Sequence, residues 1–322
     1  LNNIVKLEDI GFYTLSDKRC AGASENSDLQ RCELILTGRC NFKCPYCRRV
    51  GGSDLNFDLA KRTVIWWCAE GLKNIRFSGG EPTLYNGLVD LVKLAYTNGV
   101  EHIAVSTNGS SSRAMYDHLL LAGVNDFSIS LDACCSVDGD RMAGISGSWD
   151  HVTENIRYLS HQTYVTVGVV LTDYNYRELD GIIRFADSLG VSDIRIIPAA
   201  QEGNRLREVV VSEDLLQKYP ILAYRIKNIW EGKAVRGLQE IDSKKCGLVL
   251  DDMAICQNQH YPCIIYMREG GSPIGKVGPN MRQERKDWFL RHDTHKDTIC
   301  GNNCLDVCVD YNNKYRSFHG TE

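Results

Sequence analysis

The residues in this 322-residue chain best able to do chemistry are its fourteen cysteines, and their spacing sorts them into groups. Cys40-Asn41-Phe42-Lys43-Cys44-Pro45-Tyr46-Cys47 puts three thiols in one short loop. Thiolates are soft ligands suited to zinc or iron–sulfur sites. A structural zinc normally takes four protein ligands. No fourth cysteine stands beside this triplet, so an iron with one open position is the reading preferred here, with a zinc knuckle as the alternative. The second group is Cys246, Cys256, Cys263, Cys300, Cys304 and Cys308, dispersed through the C-terminal part. Grouped cysteines without an export signal read as metal ligation in a reducing, cytoplasmic compartment rather than as disulfides.

The elements that must position these groups alternate. Strand-like stretches at Cys32–Leu36, Asn74–Phe77, His102–Ser106, Asp126–Leu131, Tyr164–Leu171 and Asp193–Ile197 are separated by helical periodicity at Phe57–Cys68, Leu88–Tyr96, Ser112–Leu121, Trp149–Leu159 and Tyr176–Leu189. Such alternation predicts an α/β fold with a parallel sheet and crossover helices, here a partial (β/α)6 TIM barrel. Chemistry is expected in the loops at the carboxyl ends of the strands. One further helix is expected over Ser212–Trp230, and little periodicity is visible after Cys246. This divides the chain into an N-terminal segment (1–31), a barrel core (32–205) and a helical linker with a small metal-stapled extension (206–322).

Four short motifs fall in order at successive strand ends: the triplet, then Gly79-Gly80-Glu81-Pro82, Ser106-Thr107-Asn108-Gly109 and Ser130-Leu131-Asp132. Glycines let the backbone approach a ligand closely, and short hydroxyls at strand ends suit polar recognition. Together the motifs resemble those of the radical S-adenosylmethionine (SAM) superfamily. The resemblance covers roughly residues 32–200 and, in general, the core of the molybdenum-cofactor GTP cyclase family. It implies a [4Fe–4S] cluster on Cys40, Cys44 and Cys47 whose fourth iron chelates SAM. It also implies reductive cleavage of SAM to a 5′-deoxyadenosyl radical, with electrons from a reductase or flavodoxin-like donor. Tyr46, Gly79, Gly80, Glu81, Pro82, Thr107, Asn108 and Ser130 are the SAM contacts it implies.

The C-terminal cysteines resemble the SPASM/twitch extension of that superfamily. The resemblance implies one auxiliary [4Fe–4S] cluster, with Cys246, Cys263, Cys304 and Cys308 as ligands, Cys300 as a substitute and Cys256 spare. A structural zinc is the alternative here too. Cys135, beside Cys134 after the Ser-Leu-Asp stretch, is a candidate hydrogen-atom donor. Cys20, Cys32 and Cys68 are expected to be structural, since free cysteines are commonly small buried hydrophobes.

The substrate is left open among three classes. A small molecule such as a nucleotide or sugar suits an enclosed barrel, although the C-terminal Gly-Gly of the GTP cyclase is missing. A ribosomal peptide is the second class, and a nucleic-acid base the third. The formal net charge of −4 offers no global basic field for nucleic acid. Lys276–Lys296 mixes basic residues with Trp288 and Phe289, but interspersed acids favour a solvated face. No apolar run is long enough for a membrane span. A non-enzymatic iron–sulfur or zinc scaffold would need the thiols but none of the other three motifs.

Overall fold

The computed structural model describes residues 17–48, 50–200 and 209–320. After a short helix α1 (Asp17–Gly22), the chain alternates through β1 (Arg31–Thr37), α2 (Phe57–Ala69), β2 (Asn74–Gly79), α3 (Leu88–Thr97), β3 (His102–Thr107), α4 (Arg113–Ala122), β4 (Asp126–Ser130), α5 (Ser136–Ala143), α6 (Ser148–Ser160), β5 (Tyr164–Leu171), α7 (Leu179–Ser188) and β6 (Asp193–Pro198). Each of β1 to β6 pairs in parallel with its sequence neighbour, in registers such as Arg31↔Asn74 and Asn74↔His102. The two ends of the sheet do not meet, so it is an open, partial barrel.

Local chemistry explains these elements. Strand β1 is buried along nearly its whole length, as parallel strands covered on both faces require. Asn56 caps α2 by accepting from Leu59 N at 3.0 Å, and Ser112 caps α4 by accepting from Met115 N at 3.3 Å. Helix α7 buries Leu179, Ile182, Ile183 and Ala186, a stripe at helical spacing that packs on the sheet.

The structure departs from the sequence reading in three places. The helix expected over Ser212–Trp230 is two helices, α8 (Glu213–Lys218) and α9 (Pro220–Trp230). Pro220 cannot donate to a preceding turn and disfavours helical geometry at Tyr219, so it starts a new helix instead. Helix α5, placed between the fourth strand and the expected Trp149 helix, gave no periodic signal because it is short and mostly polar.

The third departure lies beyond Cys246. There β7 (Asp252–Cys256) adds to β1 in parallel, and β8 (Gln259–Tyr261) and β9 (Gly275–Lys276) continue the same sheet antiparallel. Helices α10 (Ile264–Arg268), α11 (Met281–Arg291), α12 (Thr298–Asn303) and α13 (Asp306–His319) complete this region.

Segment Lys276–Lys296 is only partly a solvated face: Lys276, Arg291 and Lys296 are exposed, but one side of α11 is buried. Arg285 is 1% exposed and donates to the carbonyls of Val249 (2.9 Å) and Tyr261 (3.1 Å), while Met281 and Phe289 are buried. Helix α1 joins this side: the Arg19 guanidinium clasps the buried Asp251 through two bonds of 2.8 Å. Among the described residues no helix is long and apolar enough to cross a membrane.

Candidate active site

The triplet loop leaves β1 and is held from three sides. Gly80 N donates to Thr37 O at 2.7 Å and Glu81 N to Arg39 O at 2.8 Å, so the loop and the Gly79–Pro82 turn run against each other. A Cβ at Gly80 would lie 2.2 Å from Arg39 O, a backbone atom that cannot yield, which is why glycine stands there. On the far side Lys43 N donates to Ala143 O at 2.8 Å, docking the loop on the end of α5. Tyr46 donates its hydroxyl to Asp132 Oδ2, and Val170 N donates to Asp132 Oδ1 at 2.6 Å. Asp132 thus ties the loop to β4 and β5. Burial pushes its carboxyl up to about 6, against the lowering effect of those two bonds.

Glu81 is fully buried, and protein donors occupy both of its oxygens. Oε1 accepts from Thr83 N (3.1 Å), Thr83 Oγ1 (2.7 Å) and Thr107 Oγ1 (2.7 Å), and Oε2 from Asn108 N (2.7 Å). This carboxylate joins the second motif to the third. Asn108 passes the connection on, since its amide nitrogen reaches Asn41 Oδ1 at 2.9 Å and Cys40 Sγ at 3.8 Å. The four sequence motifs are therefore one bonded unit around Cys40, Cys44 and Cys47.

In front of the three thiols lies a cavity of about 470 Å³. Tyr46, Gly79, Gly80, Thr107, Asn108 and Ser130 line it with them, whereas Glu81 and Pro82 sit behind its wall. Cys135 is also outside the lining: it stands exposed at the start of α5 with its thiol 3.2 Å from Asp138 Oδ2. Cys20 and Cys32 are fully buried in packed core.

The far wall of the same cavity includes Cys263 and Cys308. Around them, Cys246, Cys300 and Cys304 come close enough for the five thiols to influence one another's ionisation. Burial pushes the Cys263 thiol up to about 12 and the Cys304 and Cys308 thiols well up, which disfavours thiolates there unless a metal supplies positive charge. Cys256 lies apart, at the end of β7, and does not line the cavity.

Residues 34–186 match the Radical SAM superfamily. This stretch of the chain is a radical SAM domain. Relatives in sequence include proteins named probable GTP 3′,8-cyclase. That of Saccharolobus solfataricus is 28% identical over 208 residues, 60% of this chain and 66% of the relative. That of Metallosphaera sedula is 28% identical over 179 residues, 52% and 55% of the two chains. The match thus spans just under two thirds, or about half, of these relatives' length.

Similar solved folds include Streptococcus suis SuiB, with a TM-score of 0.59 at 15% identity over 82% of this chain and 66% of that one. Another is anSMEcpe with bound AdoMet, with a TM-score of 0.59 at 13% identity over 90% and 96%.

The radical SAM family uses a [4Fe–4S] cluster with SAM, and the donor set fits that group. A single zinc ion would draw its thiolates to about 3.8 Å from one another, given Zn–S bonds of ~2.3 Å. Among the described residues the one tight group of metal-type donors is His292, Asp297 and Cys300, so neither thiol set is drawn together to single-ion spacing. Four irons hold their thiolates further apart. Burial pushes Cys44 up to about 11, so ligation at neutral pH would release its proton.

The sequence reading missed the arginines of the cavity: Arg31, Arg48, Arg76, Arg195, Arg225, Arg236 and Arg268 line it, against the acids Glu33, Asp132 and Asp252. A signal did exist. Asn74-Ile75-Arg76-Phe77 and Ile194-Arg195-Ile196 each set a charge inside an apolar strand, and a buried charge calls for a partner.

Proposed function

We propose that this chain is a radical SAM enzyme that acts on an anionic small molecule held between its two thiol groups. Cys40, Cys44 and Cys47 would hold the SAM-binding cluster. The lining backbone of Gly79 and Gly80, with Thr107, Asn108 and Ser130, would seat SAM. Bound there, the group would supply the electron for cleavage of SAM to a 5′-deoxyadenosyl radical, which would take a hydrogen atom from substrate. Cys246, Cys263, Cys304 and Cys308 would hold an auxiliary cluster across the cavity.

The observation that carries the substrate class is the unpaired arginine. Among the described residues, Arg195, Arg236 and Arg268 have no carboxylate within ion-pair distance. Arg195 donates to Ser128 Oγ at 3.0 Å, Arg236 to Pro198 O at 3.2 Å and Arg268 to Gly79 O at 3.4 Å, while Arg195 Nε and Arg236 Nη1 are buried without any partner. Desolvation lowers Arg195 to about 10 and the nearby Arg76 adds to the effect, so the more distant charges of Asp126 and Glu33 compensate it only in part. Leaving a guanidinium buried and uncompensated costs several kcal/mol, a cost that a bound anion removes. Guanidinium forks match phosphate and carboxylate geometry. The relatives' name, GTP 3′,8-cyclase, points to the same class, a phosphorylated nucleotide.

The test is anaerobic incubation of reconstituted protein with SAM and dithionite, followed by candidate nucleotides deuterated on the sugar. The expected result is 5′-deoxyadenosine, with deuterium appearing in it for one of them. Absence of 5′-deoxyadenosine would return the chain to the scaffold reading. Turnover of an uncharged substrate, unaffected by Arg195→Ala, would overturn the anionic class.

A further inference from the structure

The C-terminal region offers five clustered thiols where a four-iron cluster takes four, and the fifth has a different neighbourhood. Cys300 Sγ lies 3.6 Å from His292 Nε2. Asp297 Oδ2 lies 3.8 Å from the same nitrogen. One nitrogen, one sulfur and one carboxylate oxygen all lie within 4.8 Å of one another.

We propose that His292, Asp297 and Cys300 form a mononuclear site for a divalent transition ion such as zinc, separate from the four-thiol set Cys246, Cys263, Cys304 and Cys308. The geometry favours an ion over a proton relay. A Cys–His–Asp relay uses both ring nitrogens, one toward the thiol and the other toward the carboxylate. Here both partners face Nε2. Zinc bonds of ~2.05 Å to nitrogen and ~2.3 Å to sulfur at a tetrahedral angle put N and S about 3.6 Å apart. The observed His292–Cys300 distance is the same, 3.6 Å. The nitrogen–oxygen pair needs to close from 3.8 Å to about 3.4 Å.

The surroundings hold the three donors in place, as the outer groups of a metal site do. Asp297 caps α12 through Oδ1, which accepts from Ile299 N (2.8 Å) and Cys300 N (2.9 Å), and this aims Oδ2 inward. Tyr266 OH donates to Oδ2 at 2.9 Å. The His292 ring stacks on Trp288 at 3.8 Å and 18°. Lys245 Nζ donates to the carbonyls of Leu290 (2.7 Å) and His292 (3.1 Å), fixing the end of α11 from which the imidazole projects. His292 and Asp297 are 15% and 17% exposed, so an ion could enter while bulk water is largely kept out. Three protein ligands leave a fourth position for water or another small donor, as in zinc sites that are not purely structural.

The experiment uses full-length protein reconstituted anaerobically with iron and sulfide, then given one equivalent of Zn²⁺ and desalted. Metal analysis should find about one zinc beside about eight irons per chain, and zinc X-ray absorption should show one sulfur and three nitrogen or oxygen neighbours. His292→Ala and Asp297→Asn should each weaken zinc retention at least 10-fold with iron unchanged. The asparagine keeps the helix cap, so a loss there is not a folding defect. Zinc absent from iron-replete protein, zinc bound by four sulfurs, or zinc indifferent to both substitutions would each overturn the site. Iron falling by about four in Cys300→Ser would also do so, because Cys300 would then belong to the cluster. None of these readouts depends on SAM cleavage, so the site stands or falls apart from the enzymatic reading.

Discussion

The two thiol groups that share the cavity are built in opposite ways. The first comes from one loop, Cys40 to Cys47, clamped by bonds from three other strand ends. The second gathers Cys246, Cys263, Cys300, Cys304 and Cys308, whose surroundings include α1, α10, α12 and α13. The first faces the cavity with Cys40 and Cys47 exposed, whereas Cys246, Cys263, Cys300, Cys304 and Cys308 are all partly buried. A local loop can be shaped by backbone hydrogen bonds before any metal arrives. A dispersed set has to be assembled by packing, and its raised thiol pKa values make it lean more heavily on the metal charge.

The sharpest way to break this contrast is to remove one ligand from each group. Cys44→Ala should abolish 5′-deoxyadenosine formation, by at least about 1,000-fold, and lower iron by about four atoms per chain. Cys263→Ala should lose a similar amount of iron but retain SAM cleavage within about 10-fold, and turnover of substrate should fall instead. Chromatographic assay of 5′-deoxyadenosine beside metal analysis reads both. Equal loss of SAM cleavage in the two variants would erase the proposed division of labour.

A smaller effect probes the space between the groups. Arg195→Ala should raise KM for an anionic substrate about 10- to 100-fold and leave substrate-free SAM cleavage nearly unchanged, since a charge-assisted bond contributes about 1.5–3 kcal/mol. Steady-state kinetics with and without substrate separates the two.

The clamps of the first loop can be weakened one at a time. Glu81→Gln replaces one acceptor oxygen with a donor, facing either Asn108 N or the Thr83–Thr107 donors, and should cost about 1–3 kcal/mol in denaturant unfolding. Its effect on iron binding should be confined to the first cluster.

The smallest expected effect is in pH dependence. Asp132 titrates near 6 in the folded chain, above its ordinary value of 3.8, so between those values the folded state holds more protons than the unfolded one. Its contribution to stability therefore declines as pH rises from about 4 to 6, by no more than about 3 kcal/mol. Asp132→Asn should flatten the stability profile in that window, and a profile that stays unchanged would place the raised pKa elsewhere.

What the amino-acid order determined was the part written in local patterns. Alternating apolar periodicity specified six parallel strands, because each strand and helix must bury a face at its own period. The motifs at the strand ends lie within a few residues of the strands that carry them, so their order along the chain is also their order around the cavity. Only the tertiary structure decided the rest. Strand β7 joins β1 from more than two hundred residues away, Pro220 divides a helix that periodicity had joined, and Glu81 faces backward into a hydrogen-bond hub. The arginines of the cavity, and Cys246 with Cys304, come together only when distant segments pack. Spacing along the chain carries no information about such meetings, because packing, not sequence proximity, brings those side chains within reach.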